Sequence, residues 1–188
     1  MNLSARILRW FGWTVNITVP DYPKCIICVA PHTSNWDFII GKLAYAAVGR
    51  QAGFLMKQTW FMPPLSWIFR AMGGIPVPRK RGSSLSAAII DKFNASATMH
   101  LAITPEGTRS LNAKWRTGFL HIAREADVPI TLGVIDYRTR TVTIADTFRP
   151  TGDADADMAA IKAYYRSTGA EGRRPHLFSE YKHANPKD

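Results

Sequence analysis

Between residues 25 and about 166 the chain alternates short apolar runs rich in β-branched residues with segments whose apolar positions recur every three or four residues. That switching between a period near 2 and a period near 3.6 admits few architectures. The runs at 25–30, 54–57, 98–103, 128–135 and 139–145 read as strands, and Ile75-Pro76-Val77-Pro78 reads as an extended segment among them. Helices are expected over 36–48, capped by Ser34 or Asn35, and after Ser83/Ser84, where Leu85, Ala88, Ile89 and Phe93 keep helical spacing. Two more are expected over 116–126 and 153–166, the last opening on three aspartates that suit the positive end of a helix dipole. A tight turn around Tyr137-Arg138 joins the final two strands. The predicted fold is a single α/β domain, a central mixed and mostly parallel sheet with helices on its faces. The helix at 36–48 has apolar residues on nearly every side and is expected to be buried.

A chain of 188 residues, 46% of them apolar, can bury one core. It reads as an amphipathic segment over 1–20, a folded domain over 21–168, and a basic, Gly/Pro-punctuated tail over 169–188 that is expected to be loosely held. In the first segment Leu3, Ile7, Leu8, Trp10, Phe11 and Trp13 accompany Arg6 and Arg9, a pattern that fits a helix lying on a membrane or one packed on the core. No apolar stretch approaches the roughly 20 residues that span a bilayer. Arg9 and Asn16 interrupt the one candidate for an export signal, so the expected location is cytoplasmic, at the inner face of the cytoplasmic membrane.

The net charge of +10 is uneven: residues 1–90 hold ten Lys/Arg against Asp21 and Asp37, and the remainder holds fourteen against twelve. Such a field draws an anionic membrane surface, phosphorylated substrates, acidic carrier proteins or nucleic acid. Nucleic acid is the poor fit, because the aromatics lie in apolar runs and are not interleaved with basic residues. Cys25 and Cys28, three apart on a strand, face opposite sides, which argues against a mutual disulfide.

Three short patterns carry chemistry. In His32-Thr33-Ser34-Asn35-Trp36-Asp37 an imidazole leaves a strand and a carboxylate enters the next helix, so Asp37 can orient the ring while its other nitrogen takes a proton from a hydroxyl. Taken alone, the same spacing equally describes a surface hydrogen bond. Pro105-Glu106-Gly107-Thr108-Arg109-Ser110 follows a strand end, where α/β proteins bind ligands. Arg109 can clamp a phosphate or carboxylate, Thr108 can add a hydroxyl, and Gly107 lets the backbone approach. Gly73-Gly74-Ile75-Pro76-Val77-Pro78 delivers the cluster Arg79-Lys80-Arg81, which reads as an anion site or as a solvated charge run. The aromatic stretch from Trp60 to Phe69 fits either core packing or the lining of an apolar channel.

Together and in this order, the patterns resemble the lysophospholipid or glycerolphosphate acyltransferase family. The resemblance is carried by His32 to Asp37, Gly73 to Arg79, Glu106 to Ser110 and Val128-Pro129-Ile130. Gly-Gly-Ile-Pro-Val and 115–124 look like a compact bacterial branch, although Pro78 stands where relatives commonly carry an acidic residue. The resemblance implies the glycerolphosphate acyltransferase-like fold and direct acyl transfer from acyl-CoA or acyl-ACP to a lysolipid hydroxyl, most often that of lysophosphatidic acid, in membrane lipid synthesis. An acylated amino acid is the alternative acceptor. It further implies His32 as base with Asp37 orienting it. Lys57, Arg79, Thr108 and Arg109 would hold the acceptor head group, beside Glu106 and Gly107, and no metal or other cofactor is required. Outside the resemblance, a non-catalytic membrane-binding module and a hydrolase that activates water are the competing readings.

Overall fold

The computed structural model describes residues 2–63, 65–77 and 84–181, with the side chains of residues 57, 60, 65, 77 and 84 outside that description. Among the described residues the order is α1 (Leu3–Trp10), β1 (Thr14–Ile17), β2 (Lys24–Ala30), α2 (Trp36–Ala47), β3 (Gly53–Lys57), α3 (Leu65–Ala71), β4 (Gly74–Val77) and α4 (Ser84–Ala95). Then follow β5 (Met99–Ile103), α5 (Gly118–Glu125), β6 (Ile130–Asp136), β7 (Thr141–Phe148) and α6 (Ala154–Thr168). The seven strands form one sheet in the order β1-β7-β6-β2-β5-β3-β4. All neighbours run parallel except β6 and β7, the hairpin pair. The expected mixed, mostly parallel sheet is therefore what forms.

Strand β2 sits at the centre because both of its faces are apolar. Ile26, Cys28 and Ala30 point into a core shared with Phe93 of α4, Phe119 and Leu120 of α5, and Ile161 and Tyr165 of α6. Cys25 and Ile27 point the other way, into a cluster with Tyr45 of α2. The two thiols thus lie on opposite faces, as their spacing requires, and both are free. Helix α1 closes the α2 side, burying Leu8 against Ile40, Ala44 and Ile135 and donating from Asn2 Nδ2 to Ala46 O at 2.6 Å. Asp153 caps α6 by accepting from the N–H groups of Asp155 and Ala156, the use expected of that acidic start.

Residues 1–20 belong to the fold: α1 packs on the core, one of the two alternatives open for it, and Thr14–Ile17 pairs in parallel with β7 as an edge strand. Three expectations change. Helix α2 is buried on one side only and leaves Trp36 and Ile39 exposed. Residues 65–71 form a helix that keeps Trp67 68% exposed, so that stretch is largely not core. The tail expected to be loose is packed over its described part, 169–181. Phe178 is fully buried beside Trp115, worth ~1.5–3 kcal/mol of apolar burial, and Glu180 takes ion pairs from Lys162 and Arg166 of α6, each at 3.1 Å.

Candidate active site

The carboxyl ends of β2, β5 and β6 meet at the loop that leads from β2 into α2. Asp37, in the first turn of α2, is 3% exposed. Its Oδ2 accepts from the backbone N–H groups of Thr33 and Ser34, both at 2.8 Å, and its Oδ1 accepts from the Tyr137 hydroxyl at 2.6 Å. These three bonds fix the carboxylate rigidly. His32 Nδ1 lies 3.2 Å from the same Oδ2, within ion-pair distance, although the ring does not point its N–H along the contact. Such bonds commonly align only when substrate is present. The sequence expectation that His32 and Asp37 meet thus holds.

Glu106 follows β5 and is 1% exposed. Its Oε1 accepts the His32 backbone N–H at 2.6 Å, whereas Oε2 has no hydrogen-bond partner among the described residues. Burial raises its pKa from an ordinary 4.5 to about 8; the His32 N–H opposes the rise, and the Asp37 and Glu180 carboxylates add to it. Glu106 is therefore largely a neutral acid near pH 7. The resemblance grouped it with the residues that shape the site beside the ligand; in the structure it is a strap that holds the backbone of the His32 loop. Gly107 has φ +67°, and a Cβ there would stand 3.1 Å from Cγ of Arg116, so the turn requires glycine twice over. Beyond it Thr108 Oγ1 accepts from Ser110 N–H at 3.2 Å. Arg109 is exposed and makes no ion pair among the described residues. Lys57 ends β3, and its side chain lies outside the described residues, as do Arg79, Lys80, Arg81 and His183.

A cavity of about 520 Å³ opens at His32, Asn35, Thr104 and Gly107 and runs between α2 and the sheet to Ile17 and Ile144. Its size falls within the ~300–1,000 Å³ of ligand sites, and its walls are overwhelmingly apolar. The walls come from Phe38, Gly41 and Tyr45 of α2 and from small or branched strand residues such as Val29, Ala102 and Gly133. Of the stretch read as core packing or channel lining, Phe61, Met62, Trp67, Ile68 and Phe69 do not line it, and the side chains of Trp60 and Leu65 lie outside the described residues. The space arises where glycine and alanine on α2 fail to fill the gap above the sheet.

A family model described as Acyltransferase matches residues 16–133, well over half of the chain, and encloses this loop, both carboxylates and most of the cavity wall. The chain belongs to the acyltransferase family. None of the curated proteins compared with it matches.

For an acyltransferase, the two cysteines are poor candidates for an acyl-enzyme nucleophile. Burial pushes the Cys25 thiol to about 11 and the Cys28 thiol to about 12, away from thiolate. Among the described residues no three His, Cys, Asp or Glu side chains converge on a metal-sized site. His100 is held between the Tyr45 hydroxyl at 2.7 Å and Tyr22 O at 2.6 Å, a packing role. His121 stands 3.9 Å from Glu125, an exposed pair.

Two participants were not foreseen. Tyr137 was read only as part of a turn, yet it donates to Asp37 from a residue 100 positions away. Burial first, and then the Asp37 carboxylate, push its hydroxyl far above the ordinary range, with nearby Arg173 opposing. Lys42 of α2 places its stem along the cavity, while its ammonium donates to Ala52 O and Met72 O at 2.9 and 2.8 Å. Burial lowers its pKa. A polar residue facing inward from a helix of mostly apolar residues was the available signal for Lys42; for Tyr137 there was none.

Proposed function

We propose that this acyltransferase moves a fatty acyl group from acyl-CoA or acyl-ACP to the free hydroxyl of a lysolipid, 1-acyl-sn-glycerol-3-phosphate, at the inner face of the cytoplasmic membrane. The observation that carries the proposal is the His32–Asp37 pair at the mouth of a 520 Å³ apolar cavity. In this reading the acyl chain lies in the cavity and its thioester carbonyl waits at the mouth. His32 Nε2 removes the proton from the acceptor hydroxyl as that oxygen attacks the carbonyl carbon. The tetrahedral intermediate collapses, the C–S bond breaks, and the departing thiolate takes the proton back from His32. Asp37 stabilises the transient imidazolium through Nδ1, and Tyr137 keeps Asp37 in place. Arg109, exposed and without an ion pair among the described residues, serves the acceptor phosphate, with Thr108 beside it and Arg79 and Lys57 assigned by resemblance.

An anionic bilayer is the partner surface in this reading. Trp10 is 86% exposed, next to Phe11 and close in sequence to Arg6 and Arg9, a combination suited to the headgroup region. Helix α3 adds exposed Trp67 and Ile68 and reaches α2 through the Lys42 bond to Met72 O. No helix among the described residues is long and apolar enough to cross a membrane. The test supplies labelled acyl-CoA or acyl-ACP, in separate reactions, with a panel of lysolipids that includes lysophosphatidic acid and a lyso-ornithine lipid, read by mass spectrometry. Labelled phosphatidic acid is expected. Label only in free fatty acid would make the protein a hydrolase, label only in the aminolipid would reassign the acceptor, and no turnover would leave a binding module.

A further inference from the structure

The described part of the C-terminal segment, 169–181, lies beyond the matched residues 16–133 and is built directly against the His32 loop. Gly172 approaches so closely that a Cβ there would lie 2.6 Å from Thr33 Oγ1 and 3.1 Å from Pro31 Cβ. Arg174 donates its backbone N–H to Thr33 Oγ1 at 3.1 Å. Glu171 is tied on its other side, accepting from Tyr137 N–H at 2.8 Å and donating to Asp136 Oδ1 at 3.1 Å. Residues 171–174 are thus fixed at both ends, while the side chains of Arg173 and Arg174 remain exposed. Arg173 stacks on Trp36, its guanidinium carbon 5.8 Å from the ring centre. Neither arginine makes an ion pair among the described residues, because the segment's carboxylates are engaged elsewhere: Glu171 with Arg138 at 3.8 Å, and Glu180 with Lys162 and Arg166.

We propose that Arg173 and Arg174 bind the phosphate of the phosphopantetheine arm that carries the acyl thioester, an assignment that rests on the proposed transfer from such a carrier. One base serving two substrates needs them to arrive from different sides. The sheet order puts Arg109, after β5, on one flank of β2 and residues 171–174, tied to the end of β6, on the other. The phosphate of the acceptor hangs on the carbon next to the one bearing the attacking hydroxyl, so it must sit at the cavity mouth. The carrier's phosphate is separated from the thioester by the whole pantetheine arm. Arg173 does not line the cavity and stands back from it over Trp36, where that distant anion would lie. A guanidinium anchored on an aromatic ring is suited to bidentate phosphate binding. CoA and acyl carrier protein present the same arm, so one site accepts either.

The experiment compares binding of phosphopantetheine and of pantetheine, by calorimetry, to the wild type, R173Q/R174Q and R173K/R174K, with acyl-transfer KM measured for carrier and acceptor. The wild type is expected to prefer the phosphorylated arm by about tenfold. The glutamine variant should lose most of that preference with an unchanged melting temperature, and the lysine variant should keep part of it. Equal binding of both arms by the wild type, or an undiminished preference in the glutamine variant, overturns the assignment. So does a change confined to the acceptor KM, which would mean that the anion belongs to the lipid. An arginine-dependent preference in a protein that transfers no acyl group from any donor upholds the site and removes the transferase reading instead.

Discussion

Replacing Glu106 by glutamine isolates one buried proton. Glu106 titrates near 8 in the folded protein against an ordinary 4.5, chiefly because it is buried. Between those values the folded protein keeps a proton that the unfolded chain has released, so stability falls as pH rises. The contribution is whole below about 4.5 and is lost by the time pH has passed about 8. At 1.36 kcal/mol per pH unit, the span corresponds to ~5 kcal/mol as an upper figure. The amide of the E106Q variant would keep a carbonyl acceptor for the His32 N–H and would carry no charge at any pH. Denaturant unfolding of both proteins at several pH values between 4.5 and 9 reads the effect. The wild type should lose stability relative to E106Q by several kcal/mol across that range, with the gap flattening beyond pH 8. Parallel curves would refute the reasoning, because Glu106 would then be ionised in the fold and its unpartnered Oε2 solvated or paired.

Three further outcomes are expected. Tyr137→Phe removes a 2.6 Å bond to a carboxylate, worth about 1.5–3 kcal/mol, and should lower kcat by about 10- to 100-fold with KM little changed; an unaltered kcat would mean that Asp37 is held without it. Gly41→Leu projects a side chain from α2 into the cavity, where even a Cβ would lie 3.8 Å from Ile135 Cδ1. Long acyl chains should lose about tenfold against short ones in a competition assay, from the cost of overfilling an apolar space, and an unchanged chain profile would place the acyl group elsewhere. Gly172→Ala forces a methyl against Thr33 and should destabilise by about 1–3 kcal/mol and reduce transfer together; a fall in neither would detach the C-terminal segment from the site.

The alternation of apolar periods made the sheet, its hairpin and the helices at α2, α4, α5 and α6 readable, because each of those elements meets the core with a whole face. Strand β1 escaped notice. Thr14–Ile17 is an edge strand half exposed, without a long apolar run of its own, and only β7 makes it a strand. The packed tail was hidden for a related reason: Phe178 is a single apolar residue in a polar stretch, and its burial depends on a pocket made by α6 and Trp115. At the site, local spacing was enough to bring His32 to Asp37, since they flank the short loop from β2 into α2. Tyr137 and the Glu106 strap depend on the order of strands across the sheet, which puts the ends of β5 and β6 on either side of β2. That order is a property of packing, and neither local period nor spacing carries it.

The most direct measurement is acyl transfer by His32→Ala, with labelled acyl-CoA and lysophosphatidic acid, beside its melting temperature and its binding of the acyl donor. Loss of transfer by at least about 10²- to 10⁴-fold, the reach of general-base catalysis, with fold and donor binding intact, is expected. Transfer within tenfold of wild type would mean that the imidazole at the cavity mouth does not move the proton.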